Sequence, residues 1–135
     1  MLDHAGLEVL DRAACLRLLA TPGIGRLAVS VKALPLILPV HFVLAGDDIL
    51  VRTHQGSTLD LATRDAVVAF EADRLGPADG LVWSVLVTGQ AHHLPDGGAE
   101  PDGRWRELPA WTLTLPERIV AISTDHVSGR QSREP

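Results

Sequence analysis

Residues 35–59 constrain the fold of this chain more than any other stretch. An apolar segment with two prolines covers residues 35–45, and a Gly46-Asp47-Asp48 turn separates it from a second apolar segment over residues 49–53. Two apolar runs of strand length joined by a short turn predict a β-hairpin. Because proline donates no backbone hydrogen bond, the first strand is expected at an edge, at a bulge or where the backbone leaves the sheet.

The remaining sequence alternates short apolar segments with turns. Asp11 is a candidate cap for a helix ending near Thr21, and Ser57 for a short helix ending near Arg64. Four more strands are expected over residues 24–31, 66–73, 81–94 and 117–123. A loop with one helical turn is expected over residues 95–108. Six strands mostly in hairpin order, with two short helices, predict a mainly β fold, a small antiparallel barrel.

Length, composition and charge limit the class of protein. A chain of 135 residues is one domain. We place it at residues 1–130, with a polar C-terminal stretch from Ser128 that frays and a disordered tail over 131–135. The net charge of −5 and the lack of a basic cluster argue against nucleic acid as a partner. The sequence shows neither a membrane span nor a signal pattern, so a cytoplasmic protein is expected.

The strand over residues 81–94 has apolar side chains on both faces. Val82 and Leu86 fall on one face, and Trp83, Val85 and Val87 on the other. A barrel strand that met water on its outside would alternate apolar with polar residues. A second copy of the chain is therefore the expected cover, giving a homodimer. The alternative is that one of the two helices covers this face.

Four side chains at the end of the hairpin, Arg52, Thr53, Ser57 and Thr58, form what we call the corner. Arginine presents a planar fork of donors suited to phosphate, and the hydroxyls add further hydrogen bonds. Gly56 allows close approach of the backbone, and the helix start presents free N–H groups. The corner is a candidate phosphate site. The alternative is a surface arginine beside an ordinary capped helix.

Apolar and aromatic residues supply the other candidate contacts. The segment Pro39, Val40, His41 and Phe42 can lie against a flat ring, or it can simply pack in the core. Trp83 is either a core residue or a stacking surface at an interface. Trp111 is a candidate pocket edge, and Trp105 has no clear role in the sequence.

Other kinds of chemistry find no support in the sequence. His92 and His93 are adjacent, so on a strand they point to opposite faces, and no other histidine has ligand spacing, so no metal site is predicted. Cys15 is the only cysteine and is expected to be buried and unreactive. Hydrolase and dinucleotide-binding motifs are lacking. We assign no catalytic residue.

Taken together, the segments resemble one known family. The motifs that carry the resemblance run in order along residues 11–130, and none is diagnostic alone: Gly25-Arg26-Leu27-Ala28-Val29, Pro39-Val40-His41-Phe42, Val51-Arg52-Thr53-x-x-Gly56-Ser57-Thr58-Leu59, Val67 to Asp73, Gly80-x-x-Trp83-Ser84-Val85 and Val127-Ser128-Gly129-Arg130. The pattern is similar to that of the pyridoxamine 5'-phosphate oxidase-like, FMN-binding split-barrel family. The resemblance is in particular to its short actinobacterial-type and nitroimidazole-resistance-like members.

The resemblance implies a six-stranded split barrel that forms a homodimer with two cofactor sites at the interface. It places residues 39–42 along the isoalloxazine ring of FMN. It assigns the ribityl phosphate to Arg52, Thr53, Ser57, Thr58 and Leu59, and it draws Trp83 and Ser84 from the partner subunit. Family relatives that bind deazaflavin F420 or haem keep both of these open as alternative cofactors.

One position departs from the family pattern. Relatives often carry lysine where this chain has Thr58, which keeps a donor but lacks the charge. A charge-assisted hydrogen bond is worth roughly 1.5–3 kcal/mol, so FMN is expected to bind about ten- to a hundredfold more weakly, or another cofactor is preferred. The basic residues that read a substrate phosphate are also lacking, so pyridoxamine phosphate is not the expected substrate.

Three functional hypotheses follow from the sequence. The first is a flavin-dependent oxidoreductase with a small-molecule redox substrate, in which the flavin supplies the chemistry and the protein the orientation. The second is a non-catalytic module that stores or senses a flavin, F420 or haem. The third is an interaction dimer that has lost its cofactor.

Overall fold

The computed structural model describes residues 1–76, 80–95, 103–109 and 116–132, and eight strands with two α-helices lie in this part of the chain. A 3₁₀ turn at Arg104–Glu107 lies in the predicted loop. In chain order, the strands and α-helices are β1 (Glu8–Leu10), α1 (Arg12–Leu19), β2 (Gly23–Val31), β3 (Leu34–Ala45), β4 (Asp48–His54), α2 (Thr58–Ala62), β5 (Ala66–Leu75), β6 (Leu81–His93), β7 (Glu117–Ser123) and β8 (His126–Gln131).

Both helices begin at the caps that the sequence predicts. The Asp11 carboxylate accepts a hydrogen bond from the Ala14 N–H at 2.8 Å, and the Ser57 hydroxyl accepts one from the Asp60 N–H at 3.0 Å. Each cap satisfies a backbone donor that has no partner within the helix. Helix α1 then buries Cys15 and Leu19 against the barrel.

Six strands close into an antiparallel barrel in the order β6-β5-β2-β3-β4-β7, and β7 pairs with β6 again. Strand β6 is long enough to have two partners along one edge. Its first part, Trp83–Thr88, pairs with β8, and its last part, Ala91–His93, pairs with β7. Gly89 lies between them, and a Cβ there would sit 1.7 Å from the Ser123 carbonyl oxygen. The barrel can split at this point because Gly89 has no side chain.

The interior of the barrel follows the alternation of its strands. On β2, Leu27 and Val29 are buried whereas Ile24 and Arg26 are exposed. Phe42 from β3 and Phe70 from β5 meet edge to face in the centre, with ring centroids 4.9 Å apart. A second apolar cluster, built from Val43, Leu50, Leu108, Ile119 and Ala121, lies under the 3₁₀ turn.

The prolines of β3 lie in a part of the strand that has a neighbouring strand on only one side. β3 pairs with the whole of β2 through its residues Leu34 to Phe42. β4 joins it only from Phe42 to Ala45. Along residues 34–41, therefore, β3 has no second neighbour among the strands that the structure describes. Pro35 and Pro39 both fall in this stretch, so of the three positions that the prolines allowed, the edge is the one observed.

Two strands were not predicted. The sequence places Ser128 onward in a fraying polar stretch and residues 131–135 in a disordered tail, but β8 runs from His126 to Gln131. It pairs with β6 on one side and with β1 on the other. Its backbone bonds, rather than an apolar pattern, make it a strand. Residues 133–135 lie outside the described part of the chain. Within the described residues, no helix has the length and apolar character needed to cross a membrane.

Candidate functional site

In the segment from Pro39 to Phe42 of β3, only two of the four side chains face outward. Val40 and Phe42 are 2% and 3% exposed and point into the barrel, whereas Pro39 is exposed and His41 half-buried. Pro39, Val40 and His41 line a shallow cleft of about 200 Å³ together with Ile24 of β2. A ring bound here would therefore meet the side chains of Pro39 and His41 and the one-sided backbone of β3.

Ile24 joins this cleft to a larger one. The second cleft has a volume of about 350 Å³ and lies between the end of α1, the start of β2 and the end of β5. Ile24, Phe42 and Trp83 all line it. Trp83 is half-buried and packs against the barrel core, so its indole is both a core contact and part of the cleft. The structure thus brings the β3 segment and Trp83 to neighbouring clefts within one chain. Ser84, the other residue predicted to come from the partner, is also half-buried on β6.

The corner is only partly assembled as predicted. The hydroxyls of Thr53 and Ser57 lie 2.8 Å apart. Thr58 is exposed, whereas Leu59 is 8% exposed and packs in the barrel core. Thr58 lines a separate cleft of about 240 Å³ with Ser30 and Lys32 from the end of β2. Two hydroxyls therefore meet at the corner, while Leu59 can offer a ligand only its backbone.

Arg52 is held by the 3₁₀ turn and by β7. Its side chain is 9% exposed. One terminal nitrogen donates to the Trp105 carbonyl at 2.9 Å, and the other lies 3.3 Å from the Glu117 carboxylate. The guanidinium also lies over the Trp105 ring, 5.7 Å from its centroid. Arg52 thus fixes the 3₁₀ turn to the barrel, a role that the sequence did not indicate. Its assignment to a phosphate stays a prediction.

Asp60 is the most densely bonded polar residue of this region, and sequence reasoning did not single it out. Its carboxylate is fully buried and accepts hydrogen bonds from the Gly56 N–H at 2.8 Å and from Arg118 at 3.2 Å. Arg64 lies 3.7 Å away. Burial by itself would raise the pKa of Asp60, but the Gly56 N–H and Arg118 outweigh it and hold that pKa below its ordinary value. The carboxylate therefore stays charged and ties the loop before α2 to β7.

His93 completes this cluster from β6. Its Nε2 lies 3.1 Å from the Thr63 hydroxyl and 3.4 Å from Asp60. Burial lowers the pKa of His93, partly against the attraction of Asp60. The Thr63 hydroxyl donates to the Leu59 carbonyl at 2.7 Å, so it accepts from His93. A neutral His93 with its proton on Nε2 satisfies both neighbours.

The outer face of β2, β3, β5 and β6 is apolar around a small charged group. Ile37 is 71% exposed and Leu86 is 47% exposed, and they border a groove of about 300 Å³. Arg26 lies 3.1 Å from Glu71 and 3.5 Å from Asp73. Burial, followed by the neighbouring Asp73, raises the pKa of Glu71 to about 7. The sequence predicts apolar side chains on both faces of the strand over residues 81–94, and β6 has them. Val85 and Val87 point inward, and Leu86 points outward.

The other candidates give a mixed result. Cys15 is fully buried, and burial raises the pKa of its thiol, as expected for an unreactive cysteine. Trp111 lies outside the described residues. In the part of the chain that the structure describes, His, Cys, Asp and Glu side chains form no group of three or more suited to a metal ion.

A closed six-stranded antiparallel barrel with one strand shared between two partners, and with clefts on its outer face, defines a split-barrel protein. The family model described as pyridoxamine 5'-phosphate oxidase matches residues 11–131. The chain therefore belongs to the pyridoxamine 5'-phosphate oxidase family, and the resemblance seen in its motifs is confirmed.

Several individual proteins are similar to this chain. The uncharacterized protein Rv0080 of Mycobacterium tuberculosis is 36% identical over 126 residues, which cover 89% of this chain and 82% of that protein. The FAD binding protein from Mycobacterium smegmatis is 27% identical with a TM-score of 0.75, over 93% of this chain and 98% of that one. A protein of unknown function from Corynebacterium diphtheriae, DIP1874, is 30% identical with a TM-score of 0.72 and the same coverage.

Proposed function

We propose that this chain binds a flavin nucleotide in the seam of a homodimer and works as a flavin-dependent oxidoreductase. The observation that carries the proposal is the pair of adjoining clefts that meet at Ile24, with residues 39–41 on one side and Trp83 on the other. FMN is the flavin that the family resemblance predicts. The substrate in this proposal is a small redox-active molecule.

The residues present suit a flat, partly polar ring. Ile24 is 56% exposed although it is a large aliphatic residue, and Pro39 is exposed beside it. Backbone groups of β3 that face away from β2 between residues 34 and 41 meet no strand of the described chain. An apolar surface next to unused backbone donors and acceptors matches a ring with an apolar face and a hydrogen-bonding edge.

The corner suits the other end of such a molecule. The hydroxyls of Thr53 and Ser57 are already within hydrogen-bond distance, and Thr58 adds an exposed hydroxyl next to them in the chain. Asp60 keeps this loop in place through the Gly56 N–H. The loop is therefore held by contacts within the chain, which lowers the entropy that binding must overcome.

A bound flavin would supply the redox chemistry through its ring. The protein would bind and orient the ring between the β3 segment and an indole, and would exclude water from it. His41 is the titratable side chain of the smaller cleft, and we assign it no proton transfer. The M. smegmatis relative, which matches over nearly its whole length, is described as FAD binding, and this supports a flavin.

A second copy of this chain is the occupant that we propose for the outer face. Ile37 and Leu86 are exposed there around the Arg26 and Glu71 pair. The centre of a protein interface is typically apolar, and this face is apolar apart from the charged pair. Sedimentation analysis is expected to show a dimer for the wild type and a monomer for Ile37→Asp with Leu86→Asp. Leu2→Asp, which alters an exposed apolar side chain at the N-terminus, serves as the control.

The decisive experiment is a titration of the pure protein with FMN, FAD, F420 and haem, followed by absorbance and by quenching of flavin fluorescence. Saturable binding of a flavin is expected, with turnover when a nicotinamide or deazaflavin donor and an acceptor are added. Ile24→Arg is expected to weaken binding about tenfold or more, whereas Leu75→Arg, at an exposed leucine outside the two clefts, is not. Flavin binding with no turnover would favour a storage or sensing module. No binding of any cofactor would favour an interaction dimer and overturn the proposal.

A further inference from the structure

A phosphate at the corner would have to compete for Arg52. Arg52 is almost fully buried and engages Glu117 and the Trp105 carbonyl. Two further cations, Arg64 and Arg118, both lie against Asp60, at 3.7 and 3.2 Å. Each of these three side chains therefore already has a carboxylate or a carbonyl as a partner, and a phosphate would have to compete for it.

Lys32 is placed differently. It lies in the turn between β2 and β3 and lines the 240 Å³ cleft together with Thr58 and Ser30. It is the only lysine of the chain. Within the described residues it makes no ion pair, and its side chain is exposed. A cation and two hydroxyls from separate segments thus border one cleft.

The turn that carries Lys32 is unusual in its residues. Lys32 and Ala33 have φ values of 50° and 67°, and Val31 and Leu34 pair on either side of them. Positive φ at both positions of a two-residue hairpin is the type I′ pattern, which favours Asn-Gly. A lysine and an alanine keep this conformation although it is unfavourable for both. The tight turn fixes the point from which the Lys32 side chain leaves the backbone.

We propose that Lys32 supplies the positive charge for the terminal phosphate of the flavin nucleotide, across the cleft from Thr58. This inference rests on the proposed function. The ammonium would donate to the phosphate oxygens from the β2–β3 turn, and the Thr58 hydroxyl would donate from the opposite side. The charge that position 58 lacks would then reach the phosphate from a different segment of the chain.

The test compares ligands that differ only in the phosphate. Lys32→Met is expected to weaken FMN binding about ten- to a hundredfold and to leave riboflavin binding within about twofold of the wild type. Lys32→Arg is expected to restore most of the FMN affinity. Arg104→Met, which removes an equal charge from an exposed pair with Glu107, is the matched control and is expected to change neither affinity.

Chemical labelling gives a second measurement on the unaltered protein. An amine-selective reagent can modify only Lys32 and the N-terminal amine, and peptide mass spectrometry separates the two. FMN is expected to protect Lys32, and riboflavin is not. If the wild type binds FMN but Lys32→Met binds it equally well and FMN gives no protection, the role of Lys32 is overturned and the proposed function stands. If the wild type binds no flavin at all, both are overturned.

Discussion

Replacing Asp60 with asparagine tests the central electrostatic feature of the structure. The carboxylate is fully buried and serves the Gly56 N–H, Arg118 and His93 at 2.8, 3.2 and 3.4 Å. The asparagine amide has the same shape as the carboxylate and keeps one acceptor oxygen. Its NH₂ group replaces the other oxygen and therefore faces a cation. Removing one partner of a buried ion pair costs about 3–5 kcal/mol.

The lower end of that range applies here. Arg118 is 22% exposed and Arg64 is 58% exposed, so water can still solvate both when the carboxylate is lost. We therefore expect Asp60→Asn to lower the free energy of unfolding by about 3 kcal/mol. For a chain of this length, that is a fall of roughly 10 °C in the melting temperature.

Urea unfolding followed by circular dichroism measures this effect at pH 7. Asp47→Asn, in the exposed β3–β4 turn, is the matched control and is expected to stay within about 0.5 kcal/mol of the wild type. A loss below about 0.5 kcal/mol for Asp60→Asn would refute the reasoning, because the buried charge would then contribute almost nothing. A double-mutant cycle with Arg118→Met is expected to show coupling of about 1–3 kcal/mol.

The pH dependence offers an independent check on the same residue. The pKa of Asp60 is lower in the folded protein than in the unfolded chain. The unfolded chain therefore takes up a proton first as the pH falls, and the stabilisation by Asp60 is present above its ordinary pKa. It is lost as the pH falls through the folded value. The difference between wild type and Asp60→Asn is expected to shrink toward pH 3, and a constant difference would contradict the assignment.

Three further predictions concern Gly89 in the barrel, Glu71 on its outer face and Cys15 in α1. Gly89→Ala is expected to prevent folding or to lower stability by more than about 4 kcal/mol, because its Cβ would overlap the Ser123 carbonyl at 1.7 Å; a soluble variant with wild-type urea unfolding would contradict this. Glu71 has a pKa of about 7 in the folded protein, above its ordinary value, so the folded state keeps a proton that the unfolded chain releases. Wild-type stability is therefore expected to fall between pH 5 and pH 7 relative to Glu71→Gln, and parallel pH profiles of the two proteins would be the opposing result. Cys15 is expected to react with a thiol reagent only in urea, since it is fully buried; rapid labelling of the native protein would show that α1 opens.

Sequence reasoning succeeded where the rule is local. The caps at Asp11 and Ser57 give the helix starts because each acts on its own first turn. Two prolines place part of β3 at an edge, since proline cannot donate to a second neighbour. The order of these elements was enough to indicate the barrel, and the motifs within them carried the resemblance to the family.

The sequence did not reveal β8. Its side chains lack an apolar alternation, and Ser128 and Arg130 are exposed. It is a strand because β6 and β1 offer their backbone groups on its two sides. A strand that depends on its neighbours' hydrogen bonds leaves little signal in its own residues.

The arrangement of charges is what only the tertiary structure decided. Arg52 looked like a phosphate ligand from its neighbours in sequence, yet closure of the barrel places Glu117 and Trp105 beside it. In the same way, Arg118 reaches Asp60 from β7, and Lys32 lines one cleft with Thr58. Local spacing determines which residues can form strands, turns and caps. Which charges meet depends on how strands far apart in sequence pair, because electrostatic partners are set by distance in space.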